Sequence, residues 1–166
     1  MNRDQQLREQ HLCFYGEDVQ RIDEELDGFL ELSGATCAML VDRSGHMVTR
    51  RGGAMNGSLQ SVAALAAGSF AATREMARLV GEGEFSTLFH QGSRESLQIS
   101  AIGDRSLLVV VFDESSNLGL VRFYAEETTG RLTELFVSMA AKAVREGAGL
   151  AEDFSSSASA ALDELF

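Results

Sequence analysis

Histidine, cysteine and lysine side chains, which commonly act as bases, nucleophiles or metal ligands, are few in this sequence. It has three histidines, two cysteines and one lysine among 166 residues. A nucleotide-binding loop of the pattern GxxxxGK(S/T) needs a lysine directly after a glycine, but Lys142 follows Ala141. The patterns GxSxG and HExxH do not occur. We therefore predict that the chain is not a nucleoside triphosphatase, a serine hydrolase or a zinc protease, and that it has no catalytic centre of its own.

Two of the potential metal ligands lie close together near the N-terminus, at His11 and Cys13. A structural zinc site needs four ligands, and no convincing third and fourth ligands accompany this pair. We expect no metal site and no cofactor. His90, next to Gln91 and Gly92 in a predicted strand, is interpreted as a structural or surface histidine, with a contact to a partner as the alternative.

A stripe of small residues stands out in a long helical pattern in the middle of the chain. Its members fall at helical spacing and leave one side of the helix nearly flat: Ala64, Ala67, Gly68, Ala71 and Ala72. Either the helix packs closely on its own sheet, or another chain approaches this flat side. A glycine inside a helix costs roughly 1 kcal/mol relative to alanine, so Gly68 calls for compensation, such as a close contact.

The composition limits the possible partners. The net charge is −11, counting the histidines as neutral, and the basic residues are scattered arginines rather than a cluster. Nucleic acid is therefore not expected as a partner, because phosphate binding depends on grouped lysines and arginines. No window reaches the roughly 18 apolar residues of a membrane span, and the polar residues 1–10 do not resemble a secretory signal. We expect a cytoplasmic protein with reduced thiols at Cys13 and Cys37.

The periodicity predicts an alternation of helices and short strands. The predicted elements are a helix that begins at Glu17 and is ended by Gly34, strands at 36–41 and 46–49, a helix at 58–80, strands at 86–91, 96–102 and 106–112, and a helix at 118–145. The large apolar groups of the second helix are Leu59, Val62, Leu65, Phe70, Met76 and Val80. This order predicts an α/β fold of the α+β type, with a five-stranded antiparallel sheet flanked by helices. The continuous apolar run at 107–112 predicts a central strand that is covered on both faces.

The two ends are expected to lie outside the folded domain. We predict a flexible extension at 1–16, one domain at 17–146 and a flexible tail at 147–166, which begins at a Gly-Ala-Gly turn. Within the tail, Leu162, Leu165 and Phe166 form an apolar group beside two acidic residues. We expect this end to bind a partner.

Several segments resemble the roadblock/dynein-light-chain family, and within it most resemble the bacterial MglB branch. The segments are LAAGSFAA at 65–72, LVGEGEF at 79–85, FHQGSRESL at 89–97, LVVVFD at 108–113, SNLGLVR at 116–122 and LDELF at 162–166. The likeness covers roughly residues 17–145 and the end of the tail. None of these segments is catalytic, so the resemblance rests on many moderate matches in the right order.

The resemblance implies a homodimer centred on the second helix and a neighbouring strand, with a Ras-like small GTPase of the MglA type as its partner. It implies that the dimer accelerates GTP hydrolysis by rearranging the active site of the GTPase, in the control of cell polarity or motility. The second helices of the dimer would form the platform on which the GTPase sits. In place of expected basic residues, this chain has Phe123, Tyr124, Glu126 and Glu127 after Arg122, so contacts by positive charge are not expected there.

Five arginines are candidates, by residue type alone, for a finger that neutralises transition-state charge in the GTPase: Arg50, Arg51, Arg74, Arg78 and Arg105. Most are interpreted as solvated surface residues, and the resemblance argues against a finger supplied by this chain. The alternative function is a non-catalytic roadblock scaffold that tethers signalling or motor complexes through the same surface. A third possibility is a small-molecule sensor of profilin-like shape, although no cluster of polar groups indicates a pocket.

Overall fold

The computed structural model describes residues 16–53 and 58–165. Its elements are α1 (Gly16–Ser33), β1 (Cys37–Asp42), β2 (Met47–Gly52), α2 (Leu59–Leu79), β3 (Thr87–Gln91), β4 (Glu95–Ile102), β5 (Ser106–Asp113) and α3 (Leu118–Leu165). This order confirms the predicted fold. The chain forms two units, one ending at Leu132 and one beginning at Thr133. Within the described ranges, no helix combines the length and apolar character needed to cross a membrane.

The five strands form one antiparallel sheet in the order β2-β1-β5-β4-β3. β5 lies in the middle, and its residues from Ser106 to Phe112 are all buried. The predicted central strand that is covered on both faces is therefore confirmed. β2 and β3 form the two edges of the sheet.

One face of the sheet packs against α2. Alternation along the strands brings Met39, Val109 and Ile99 side by side on this face. α2 contributes Phe70 to the same cluster, together with small residues such as Ala63. Because most of the buried residues of α2 are alanines, the helix can lie close to the sheet. The opposite side of α2 does not contact the sheet.

The other face is covered by α1 and the first four turns of α3. The buried helical residues on this side are Ile22, Leu26 and Phe29 of α1 and Val121, Ala125 and Leu132 of α3. An ion pair with 2.8 Å between Arg131 Nε and Glu25 Oε2 joins the two helices. The buried side of α1 therefore forms part of the core.

β2 continues further than the sequence predicted. Arg50, Arg51 and Gly52 lie beyond the predicted end of this strand at 49, but they pair with residues 37–39 of β1. A two-point ion pair holds Arg51, with 2.8 and 2.9 Å between its guanidinium nitrogens and the carboxylate oxygens of Asp27. The prediction was wrong because the charge of Arg51 is satisfied by a helix that is distant in sequence.

The last helix also extends beyond its predicted end. α3 continues past Arg145 through Gly147 and Gly149 and ends at Leu165. The expected helix end at 145 is therefore wrong. Two glycines cost roughly 2 kcal/mol in a helix, and the many alanines around them have the best helix propensity. The flexibility proposed for 147–166 stays a prediction, while residues 1–15 of the proposed extension lie outside the described part.

Candidate functional site

α2 is fixed on the sheet by its inner side and by its caps. The Oγ of Ser58 accepts a hydrogen bond from the backbone N–H of Ser61 at 3.3 Å, so Ser58 is the N-cap. Gly81 follows the last turn with a φ of 84°, a conformation that glycine adopts readily. The buried residues of the helix are Ala63, Ala66, Ala67, Phe70, Thr73 and Ala77. They repeat every three or four residues and define the inner side.

The small-residue stripe is divided between the two sides of α2. Ala64, Gly68, Ala71 and Ala72 are exposed, whereas Ala67 is buried against the sheet. For Ala67 the structure therefore favours the first of the two interpretations of the stripe, close packing on the sheet. A Cβ added to Gly68 would meet no neighbouring atom within 4 Å. The open space at Gly68 is therefore available to another chain.

Large apolar side chains accompany these small residues on the outer side. Leu65 is 71% exposed, Met76 is 52% exposed and Leu79 is 70% exposed. The outer stripe, as we name it, consists of Leu65, Gly68, Ala72, Met76 and Leu79, with steps of three or four residues. Exposed apolar groups in a contiguous patch are typical of a protein interface.

The outer stripe was not predicted from the sequence, because Leu65, Met76 and Val80 were grouped by residue type with the other large apolar residues of the helix. All three are exposed. The helical period places Leu65 and Met76 opposite Phe70, which was the signal that could have found the stripe.

Charged pairs border the outer stripe near its C-terminal end. Arg78 and Glu75 form an ion pair one turn apart, which lowers the pKa of the Glu75 carboxyl and raises that of Arg78. Arg74 Nε lies 3.6 Å from Glu84 Oε1 in the loop after the helix. The site is therefore an apolar strip beside paired charges, and its chemistry suits the docking of another protein.

β3 provides a second open surface, at the edge of the sheet. The backbone N–H of Ala101 donates to the carbonyl oxygen of Ser86 at 2.9 Å. The antiparallel alternation then directs the backbone N–H groups of Thr87, Phe89 and Gln91 away from β4. These donors are available to a strand of another chain, as is typical of an edge that pairs. His90 also lies on this strand and is exposed.

The candidate finger arginines do not converge on one point of the surface. Arg51 is paired with Asp27, a hydrogen-bonded contact that lowers the pKa of the carboxyl, and Arg74 and Arg78 are paired near the end of α2. Arg50 and Arg105 are exposed. Neither of these two arginines forms an ion pair with another residue in the described ranges. No common site is formed by these five side chains.

The three residues predicted to bind a partner at the C-terminus are only partly described. Leu162 is 56% exposed on the last turns of α3. Leu165 ends the helix, but its side chain lies outside the described part, and so does the whole of Phe166. The proposed apolar group at this end therefore stays a prediction.

Comparisons with known proteins identify relatives of the same architecture. Residues 21–112 match the family model of the Roadblock/LC7 domain. A search of curated proteins finds no match. The solved structure of the gliding protein MglB from Thermus thermophilus is 34% identical, has a TM-score of 0.73, and the match covers 76% of this chain and 96% of that one.

Two further solved structures match equally well. Myxococcus xanthus MglB is 36% identical with a TM-score of 0.71, and the match covers 76% of this chain and 96% of that one. A structure described as MglB with a tetrameric arrangement is 33% identical with a TM-score of 0.73 and has the same coverage. The similarity therefore spans nearly the whole length of these relatives.

Proposed function

Because the chain belongs to the Roadblock/LC7 family and is similar to solved MglB structures, we propose that it regulates a Ras-like small GTPase of the MglA type. In this proposal it acts as a cytoplasmic homodimer, accelerates GTP hydrolysis by its partner, and serves in the control of cell polarity or motility. It is a regulatory protein rather than an enzyme. Its likeness to MglB proteins at 33–36% identity supports the regulatory role.

The observation that carries the proposal is the outer stripe of α2. Three large apolar side chains lie mostly in water on a helix whose other side is well packed. Burial of apolar surface contributes about 25 cal/mol per Å², so a partner that covers Leu65, Met76 and Leu79 gains substantial binding free energy. Gly68 and Ala72 between them allow its backbone to come close.

The GTPase supplies the chemistry, and the platform selects its reactive arrangement. Hydrolysis of GTP needs the attacking water in line with the γ-phosphate and positive groups around the developing charge. The platform would bind the GTPase only when these groups are in place. Such binding lowers the activation barrier of GTP hydrolysis by positioning and electrostatic preorganisation. Binding energy gained along the outer stripe would compensate for the cost of reaching that arrangement.

The proposed mechanism predicts that no single arginine of this chain is essential. We expect alanine replacement of each candidate to reduce stimulated hydrolysis far less than the roughly 1,000-fold or more expected of a lost finger. The candidates are Arg50, Arg51, Arg74, Arg78 and Arg105. The measurement is single-turnover hydrolysis at a saturating concentration of the variant, so that changes in affinity do not contribute. A replacement that abolishes stimulation while binding stays intact would identify a finger and contradict the mechanism.

The edge strand β3 supports the proposed homodimer. Its outward N–H groups at Thr87, Phe89 and Gln91 can pair with the same strand of a second copy, which would join two sheets into one. Such a contact is isologous, as in most symmetric dimers. The α2 helices lie on the same face of each sheet, so both outer stripes would contribute to one platform. A relative described in a tetrameric arrangement supports assembly through surfaces of this fold.

We propose that the C-terminal end of α3 makes a second contact with the GTPase. Deletion of residues 150–166 should leave the dimer and its melting temperature unchanged, because the first unit ends at Leu132. It should weaken GTPase binding or change nucleotide exchange, because a tethered contact acts at an effective concentration in the millimolar range. The measurements are affinity and nucleotide release, with Leu162→Ser as a point variant and Ala160→Ser as its exposed control. Identical behaviour of the truncated and full-length proteins would exclude this role.

The test of the proposed partnership is binding that depends on the bound nucleotide. Calorimetric titration of the protein into an MglA-type GTPase should give clear binding to the form loaded with a non-hydrolysable GTP analogue and much weaker binding to the GDP-loaded form. Equal affinity for the two forms, or no binding to either, would contradict the proposal. A scaffold that binds the same partner would leave its hydrolysis rate unchanged, and this separates the alternative function.

A further inference from the structure

Three segments that are distant in sequence meet at the side chain of Arg43. Arg43 lies in the turn between β1 and β2, and its Nη2 donates to the carbonyl oxygen of Gly103 at 2.9 Å, in the turn between β4 and β5. Its Nη1 donates to Glu84 Oε1 at 3.2 Å, in the loop between α2 and β3. Its guanidinium carbon also lies 5.3 Å from the centre of the Phe70 ring of α2. One guanidinium therefore connects two turns, one loop and one helix.

The surroundings of Arg43 restrict which side chain could make these contacts. Its side chain is only 17% exposed, and its Nε is buried and has no hydrogen-bond partner within the described residues. A guanidinium is planar and can direct two nitrogens at separate acceptors while its face lies on an aromatic ring. Lysine has a single ammonium and cannot reproduce that arrangement. The site therefore specifies arginine rather than positive charge alone.

Glu84 connects Arg43 to α2 through a second arginine. Its Oε1 lies 3.2 Å from Arg43 Nη1 and 3.6 Å from Arg74 Nε, on the second-last turn of the helix. Residues 81–86 of the loop are all exposed. Among the described residues, Glu84 is the side chain of this loop that forms ion pairs, and these pairs attach the loop to Arg43 and Arg74. We name Arg43, Glu84 and Arg74 the loop clasp.

The loop clasp lies at the C-terminal end of the outer stripe. Leu79 ends α2, and the exposed Val80 and partly exposed Phe85 follow within the clasped segment. If the clasp is released, this end of the platform can adopt many conformations. A partner that binds there must then restrict them, and that ordering costs affinity.

We propose that Arg43 is a positioning residue that fixes the C-terminal end of the partner-binding platform. In this proposal it acts through Glu84 and the loop at 81–86, and not by direct contact with the nucleotide. The inference rests on the proposed function for its effect on GTPase binding, whereas its effect on the loop is a property of the free protein. Arg43 was not among the arginines considered as fingers.

The first experiment uses the free protein and does not depend on any partner. We expect Arg43→Met to increase amide hydrogen exchange at residues 79–86 and to leave exchange in β5 and α1 unchanged. Methionine keeps an apolar stem near Phe70, so the fold is retained. The control, Arg122→Met, removes the same charge from an exposed position of α3 and should leave exchange at 79–86 as in the unaltered protein.

The second experiment measures affinity and turnover separately. Arg43→Met should raise the Kd for the GTP-loaded GTPase by roughly tenfold, while the hydrolysis rate at saturation stays unchanged. Glu84→Gln should produce the same loss, and the double variant should be no worse than either single variant, because both act through one clasp. Arg43→Lys should not restore the affinity, since it cannot hold Gly103 and Glu84 together over the ring.

The outcomes separate the inference from the proposed function. Unchanged exchange at 79–86 in Arg43→Met would overturn the clasp, whatever the partner does. Increased exchange at 79–86 with unchanged affinity would overturn the positioning role. Additive losses in the double variant would also contradict it. If the unaltered protein binds no GTPase, the proposed function fails, and the exchange experiment still decides whether the clasp orders the loop.

Discussion

A Gly68→Arg variant should fold and dimerise normally but lose binding to the GTP-loaded GTPase. The added Cβ meets no atom within 4 Å, and the residue has an ordinary helical conformation, so the chain accommodates a side chain there. Arginine is a better helix former than glycine by up to about 1 kcal/mol, and the melting temperature should be equal or higher. At the interface, a long charged side chain would separate surfaces that must lie flush. We expect a loss of affinity on the order of 100-fold or more.

The matched control for this substitution is Gly68→Ala. Alanine gives the same gain in helix propensity but adds one methyl group, so binding should be retained or reduced only a few-fold. Both variants would be checked by calorimetric titration, with light scattering and thermal melting to confirm the dimer and the fold. Full binding by a folded Gly68→Arg variant would remove the outer stripe of α2 from the partner surface.

The second large effect is expected at the edge of the sheet. A Thr87→Pro variant should be a monomer of 17.9 kDa in light scattering, whereas the unaltered protein should have twice this mass. Proline removes the outward N–H of Thr87 and is tolerated at the first residue of an edge strand. The ladder between β3 and β4 is kept, because the N–H of Thr87 points away from β4. Loss of the dimer should also abolish stimulation of the GTPase, since the platform needs two copies of α2.

The control at the same position is Thr87→Val, which keeps the backbone donor and a β-branched side chain. It should remain dimeric and active. If Thr87→Pro has an unchanged fold by circular dichroism and still forms a dimer, the β3 edge is not the contact. If the unaltered protein is itself a monomer at micromolar concentration, the proposed platform of paired helices is wrong.

The elements that were predicted well are those whose signal is local. The run from Leu107 to Phe112 has no polar residue, and the structure buries it in the middle of the sheet. Gly34 was expected to end the first helix, and it has a φ of 71° and donates its N–H to the carbonyl oxygen of Leu30. A buried apolar strand and a helix end at a left-handed glycine depend on neighbouring residues, so one sequence is enough to predict them. Gly147 and Gly149 show the limit of this signal, because α3 continues through both.

The features that were missed depend on orientation or on distant contacts. Residue type alone grouped Leu65 and Met76 with the other large apolar residues of α2, and only the angle around the helix relative to Phe70 shows that they face outward. The same angle places Ala67 on the buried side. Arg43 joins Glu84 and Gly103, which are 41 and 60 residues away, and no local pattern marks such a residue. The proposed platform therefore stays on the helix named from the sequence, and the structure shows which side chains of that helix are exposed.

The central claim is that this protein accelerates GTP hydrolysis by its partner. The most direct test is single-turnover hydrolysis by a GTP-loaded MglA-type GTPase, alone and with increasing amounts of this protein. We predict that the rate rises and saturates with the dimer concentration, and that Gly68→Arg gives no increase at the same concentrations. A rate that is unchanged at concentrations where calorimetry shows full complex formation would contradict the claim and would identify the protein as a scaffold.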